Sequence, residues 1–302
     1  MPTVGQGWDM IAGKVPFSVV PGNHDYDAMW TDSNHPPAAQ VRSAADVGML
    51  HSGGLSNWKK VFSDQSKYFK DQSWYVASHD DGADSAQIFT AGGYRFLHIG
   101  LQFDAPNASL KWAADVIAKY PGLPTIVSMH DFLNTAGERL ANPIIDNAAV
   151  DPEDNSPQMI WDKFLSQHDQ IFMVLCGHEH AQAFRTDSNT FGHPVYQVLA
   201  DYQDRAQTAK DAGAKLEPGM GIGDGWLRLM TFDMGAKVPH VKVRTYSTHY
   251  KVNSIEAPDY AKWYKAEEKP RLTDAEYMKA DDFTIDLADF RTRFRKPGAA
   301  AK

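Results

Sequence analysis

Three short segments of this chain carry side chains suited to chemistry: Gly22-Asn23-His24-Asp25, His130-Asp131 and Gly177-His178-Glu179-His180. Each follows an apolar, branched run: residues 15–20, 124–129 and 171–175. His178 and His180 stand two apart, and on extended backbone such side chains point to the same side. Both imidazoles can therefore face one metal ion or two adjacent ones. An N/O donor set of Asn23, His130, His178 and His180 suits Zn, Mn, Fe or Mg rather than soft-metal chemistry. An asparagine oxygen holds an ion without neutralising it, which preserves Lewis acidity toward a phosphoryl oxygen. His24, with Asp25 beside it, fits a general acid for a leaving group. Taken singly, each segment has a plainer reading. The histidine pair reads as two surface residues in a turn, His130 as a hydrogen-bonded strand end, and the first segment as turn chemistry. Their common position at strand ends is what raises all three together.

The elements around them repeat a pattern of strand, polar loop and helix. Strands are expected over 15–20, 74–78, 87–90, 94–101, 124–129 and 171–175, then over 182–186, 194–199, 225–232, 240–246 and 283–287. Ala91-Gly92-Gly93 should close a hairpin. Helices are expected over 38–50, 56–68, 108–119, 157–168 and 256–281, the fourth opening on a proline in its first turn. In such α/β layers, ligands bind beyond the carboxyl ends of strands.

Composition narrows the partners. The chain has 302 residues, 43% of them hydrophobic, with 30 Lys+Arg against 38 Asp+Glu and a net charge of -8. That balance gives no global attraction to nucleic acid or anionic membrane, so a phosphate would be handled locally. No apolar run approaches a membrane span of roughly 18–20 residues. The single cysteine, Cys176, excludes an intrachain disulfide and a cysteine-rich zinc module. Residues 1–14 lack a basic and then apolar leader, so no signal peptide is expected and the chain as it stands reads as cytoplasmic.

The segments PFSVVPGNHD, IVSMHDF and FMVLCGHEHAQAF resemble, in order, the G-N-H-[DE], lone-histidine and G-H-x-H blocks of the calcineurin-like metallophosphoesterase superfamily. The resemblance spans about residues 15–250. It implies an α/β fold, a β-sandwich flanked by helices (αββα), and hydrolysis of a small phosphate ester, either a phosphodiester or a phosphomonoester. It implies Asn23, His130 and His178 as ligands of one metal, His180 at a neighbouring site, and His24, oriented by Asp25, as the group that protonates the leaving oxygen. Similar bacterial proteins are often exported. The family's D-x-H and G-D-x-x-[DN] blocks have no counterpart before Gly22. The expectation is therefore an N-terminally truncated catalytic domain (1–250), with a C-terminal extension (251–302) packed on it. It would bind one divalent ion (Mn, Zn, Fe or Mg) rather than two. A sheet lacking its first strands exposes an edge, to be covered by a homo-oligomer or by residues 1–14. The alternatives are a hydrolase of carboxylesters or glycosides using the same cleft, and a non-catalytic fragment or scaffold.

Other features have bland readings. Gly223-Asp224-Gly225 falls after the G-H-x-H block and reads as a turn. Most tryptophans read as core, with Trp30, just past His24, kept as a substrate-side candidate. Arg185, Arg205, Arg228 and Arg244 are candidates for a phosphate clamp, against salt bridging to the excess acid.

Overall fold

The computed structural model describes residues 7–30, 50–215 and 223–294. Its strands are β1 (Ala28–Trp30), β2 (His51–Gly53), β3 (Tyr75–His79), β4 (Asp84–Ala91), β5 (Tyr94–Gly100), β6 (Thr125–Ser128), β7 (Ile171–Cys176), β8 (Gln182–Ser188), β9 (Pro194–Ala200), β10 (Trp226–Asp233), β11 (His240–Ser247), β12 (Val252–Asn253) and β13 (Phe283–Asp286). The helices are α1 (Ser56–Phe62), α2 (Asn107–Lys119), α3 (Pro157–Lys163), α4 (Gln207–Asp211), α5 (Tyr260–Glu268), α6 (Asp274–Lys279) and α7 (Phe290–Arg293).

The fold is mixed α/β around a seven-stranded sheet of order β3-β4-β5-β6-β7-β9-β8. Its centre, β5-β6-β7-β9, is parallel, and both flanks are antiparallel. Period-two alternation divides its side chains between two cores. Leu97, Ile99, Val127, Val174 and Leu199 pack with Leu110, Val116, Ile160 and Trp161 of α2 and α3. On the other face, Phe96, Ile126, Tyr196 and Val198 meet Val241, Val243 and Ile285 of a smaller sheet formed by β10, β11, β12 and β13. Phe172 and Met173 both join that second core despite being neighbours. A register shift between β6 and β7 turns the strand there.

The chain beyond 250 is built into this body. β12 and β13 both pair with β11. The expected helix over 256–281 is two helices, α5 and α6, broken at Lys269-Pro270; Pro270 cannot donate to a helical ladder. Thr273 caps α6, accepting a hydrogen bond from Glu276 N. The helix expected over 56–68 stops at Phe62, and the short ribbon β1–β2 was not anticipated. The helix expected over 38–50 lies almost wholly outside the described residues.

The strand expected over 15–20 is a correction. Residues 16–22 run without regular structure, and among the described residues no backbone ladder joins them to a neighbour. Pro16 and Pro21 lack the N–H that a ladder needs. Side chains hold the segment instead. Phe17 stacks on Trp8 at 5.1 Å and leans on Phe69 and Trp74, beside a helical turn over residues 7–9. Trp8 of the lead-in thus covers Phe17. Between this segment and the sheet lies a cavity of about 260 Å³ lined by Ser18, Val20, Gln87, His98 and Ser128 among others.

His98 in that cavity is held neutral. Its Nδ1 donates to Gln87 Oε1 (2.8 Å), whose own Nε2 donates to Ser85, so Nε2 of His98 accepts from Ser128 Oγ (2.8 Å). Burial lowers its pKa to about 4, against about 6.5 for a free imidazole. Between those values the unfolded chain takes up a proton that the folded chain refuses. Stability is therefore full above pH 6.5 and lost as pH falls toward 4. In His98→Gln, the loss across that window should shrink by on the order of 2 kcal/mol, measured by urea unfolding at each pH.

Candidate metal centre

Two of the three motif loops leave the same end of the sheet, and the third comes to them from the segment packed beside it. β6 runs into Met129-His130, β7 into Gly177-His178, and a 3₁₀ turn (Asn23–Asp25) follows the extended segment. Gly177 N donates to His130 O at 2.8 Å, fastening two of the loops together. Gly22 is needed for space: a Cβ there would stand 2.7 Å from the His130 ring. His178 itself sits at φ +69, a left-handed conformation uncommon for a residue with a side chain.

Asn23 Oδ1 lies 2.9 Å from His130 Nε2, which lies 3.0 Å from His178 Nδ1. Phe103 closes one side, its ring 6.0 Å from His130 and 5.9 Å from His178. Burial lowers the pKa of His130 to about 3, with His178, His24 and His180 adding to the effect. Burial likewise lowers His178 to about 4, with His180 and His24 contributing. Both rings are thus neutral near pH 7 and present lone pairs, the state a metal requires.

With Asn142 in place, the hydrogen positions at this centre conflict. Asn142 Oδ1 accepts from Ile144 N and Ile145 N, so its Nδ2 faces Glu179 Oε1 (2.8 Å) and His178 Nε2 (3.0 Å). With Nε2 accepting, the one proton of neutral His178 sits on Nδ1 and points at His130 Nε2. That nitrogen then meets Asn23 Oδ1 lone pair to lone pair. Placing a proton on His130 Nε2 moves the conflict and does not remove it. If Asn142 gives way to a proton on His178 Nε2, the three atoms can be satisfied either by a proton on His130 Nε2 or by a cation facing three lone pairs. The spacing also fits: ligands at right angles around an ion with bonds of about 2.1 Å stand about 3.0 Å apart.

The other sequence-predicted residues are placed as follows. His24 is exposed at the rim, close enough to depress both half-buried imidazoles electrostatically. Asp25 accepts a hydrogen bond from Gly22 N (2.9 Å), so it fixes the turn that carries His24; no bond joins the two side chains among the contacts described. His180 turns toward the 201–205 loop, donating from Nδ1 to Asp204 Oδ2 (2.6 Å) and accepting from Gln203 Nε2 (2.6 Å). Trp30 ends β1, and its side chain lies outside the described part of the structure.

Three residues were missed. Asn142 and Phe103 sit in loops without a motif, and only the folded chain brings them to the histidines. Asp131 was passed over beside His130. It is buried, and burial lifts its pKa to about 7, with the Glu179 and Asp146 carboxylates adding to the rise. Three of the four candidate arginines are held in ion pairs. Arg185 pairs with Asp187, Arg205 with Glu268 and Asp281, and Arg228 with Asp281. Asp224 holds the first turn of α4, accepting from Gln207 N (2.7 Å) and Thr208 N (3.0 Å). Among the described residues, no helix is long and apolar enough to cross a membrane.

No family model matches the chain. It is similar to the uncharacterized protein YvnB of Bacillus subtilis (strain 168), 23% identical over 288 residues. The match covers 93% of this chain and 17% of that protein, so the chain spans about a sixth of the relative's length.

Proposed function

We propose that the chain is a metal-dependent hydrolase of phosphate esters, built on an αββα fold of the calcineurin-like metallophosphoesterase kind. The observation that carries the reading is the convergence of Asn23 Oδ1, His130 Nε2 and His178 Nδ1 at spacings of 2.9 and 3.0 Å, with both imidazoles held neutral. These three residues would hold one divalent ion (Mn, Zn, Fe or Mg). His180, tied to Asp204 and Gln203, is not drawn into that set, which favours one ion rather than two. Such an ion, when bound, supplies Lewis acidity to a phosphoryl oxygen and makes water a better nucleophile.

The chain's own groups do the rest. His24, at the exposed rim, gives a proton to the leaving oxygen, and Asp25 keeps it there by bracing the turn. Phe103 shields the imidazoles and strengthens charge interactions at the centre. The substrate is a small phosphate ester. A second copy of the chain is the partner proposed for an exposed edge of the large sheet, β3 or β8.

The test is hydrolysis of bis(4-nitrophenyl) phosphate, 4-nitrophenyl acetate and a 4-nitrophenyl glycoside, before and after chelation. Phosphodiester cleavage that disappears on chelation and returns with manganese is expected. Activity confined to the acetate or the glycoside, and indifferent to chelation, would replace this reading with a hydrolase of another bond.

A further inference from the structure

A second group of metal-ligating side chains lies apart from the three converging atoms. His51, on β2, presents Nε2 to Asp154 Oδ2 at 2.9 Å, and both residues are more than nine-tenths buried. Asp151 completes the set. One donor atom from each of the three lies within 4.8 Å of the other two. Ligands on opposite sides of one ion, at about 2.1–2.4 Å each, stand about 4.2–4.8 Å apart, so the three atoms fit a single coordination sphere.

Charge makes the same point independently. Burial raises the pKa of Asp154, the His51 contact opposes that rise, and Asp151 and Glu153 add to it. Asp104 and Asp146 are raised by burial too, and each is raised further by Asp154. Asp154 thus feels four other carboxylates, those of Asp151, Glu153, Asp104 and Asp146, while its own contact is to His51. Among the described residues, no lysine or arginine forms an ion pair with any of them. Buried carboxylates that meet no lysine or arginine among the described residues carry a desolvation cost, and a divalent cation held by them would offset it.

We infer that His51, Asp151 and Asp154 bind a divalent cation, Mn²⁺ or Zn²⁺, which staples β2 to the loop at 147–155. One imidazole and two carboxylates match these ions better than Ca²⁺, which takes oxygen ligands. The staple reaches the phosphate-ester centre through Phe103. Next to it, Asp104 Oδ2 accepts from Asn147 N (2.8 Å), and Asp104 O from Asn155 N (3.2 Å). Asn147 in turn accepts from Ser52 N (2.7 Å) on β2. The site is structural and supports the wall of the centre without touching a reacting atom.

The experiment is manganese titration of chelator-stripped protein, with bound metal counted by elemental analysis after gel filtration. Wild type should retain two equivalents, and Asp151→Asn and His51→Gln one each. The His130→Ala/His178→Ala variant should also retain one, and manganese should raise its Tm by about 3 °C or more. Asp151 is only half-buried, so Asp151→Asn tests the site with little risk to folding, checked by circular dichroism. If Asp151→Asn and His51→Gln bind as much manganese as wild type, the inference is wrong. The two readings fail separately. A wild type holding one equivalent that Asp151→Asn loses, and the double-histidine variant keeps, refutes the phosphate-ester centre and leaves the staple standing.

Discussion

His178→Ala should lose manganese-dependent phosphodiester hydrolysis by on the order of 10²–10³-fold, and weaken manganese binding at that centre by a comparable factor. Loss of an outer-shell partner typically costs 10–100-fold, and a ligand costs more. The variant also removes the contact to His130 Nε2 and leaves Asn142 Nδ2 without the imidazole it faces. Alanine at φ +69 is no better placed than histidine, but the position is strained already and the side chain is only partly buried. The fold should therefore survive, and the loss should be read as chemistry. Gly22→Ala makes a useful companion. Its new methyl would press on the His130 ring without touching a donor atom's identity, and it should lower manganese affinity through displacement alone. Steady-state rates at saturating manganese, with isothermal titration for each variant, separate the two effects.

Arg205→Met should cost about 3–5 kcal/mol of stability, since breaking a buried ion pair strands its partner. Arg205 is 1% exposed and binds Glu268 through Nε and Nη2, at 2.6 and 2.8 Å. It also reaches Asp281, which is fully buried, and lies against the rings of Tyr202, Tyr260, Tyr264 and Tyr277. Burial alone would push the Asp281 carboxyl up, yet Arg205 and Arg228, with hydrogen bonds from Tyr260 and Tyr202, hold it below the usual carboxylate range. Methionine fills much of the volume but leaves Glu268 and Asp281 short of a cation. Chemical denaturation should show the loss, and the double variant Arg205→Met/Asp281→Leu should recover part of it. The position matters for architecture, because this cluster joins α5 and α6 to Trp226 and Tyr202 of the main body.

The strands of the large sheet were legible because apolar alternation and turn residues mark them locally: the hairpin at Gly92-Gly93 and the parallel run through β5, β6 and β7 follow from pattern. The same logic failed at 15–20. Composition there says strand, but a strand also needs neighbours, and two prolines remove donors from the segment. The break between α5 and α6 was written in Lys269-Pro270 and was overlooked in a long charged stretch. At the centre, Asn23, His130 and His178 were visible because each ends an apolar run. Asn142 and Phe103 were not, since nothing in their local sequence tells which histidine they will meet. Gly22 was read as a turn residue; the structure gives it a second duty, leaving room for an imidazole from a strand more than a hundred residues away. His51 sits in a strand too short for periodicity to reveal.

The central claim rests on where an ion binds, and manganese-anomalous diffraction from a crystal of the full chain soaked in manganese measures that directly. The account predicts an anomalous peak within about 2.3 Å of Asn23 Oδ1, His130 Nε2 and His178 Nδ1 together. A map with no peak among those three atoms, from protein whose soaked crystals show manganese elsewhere, would contradict it.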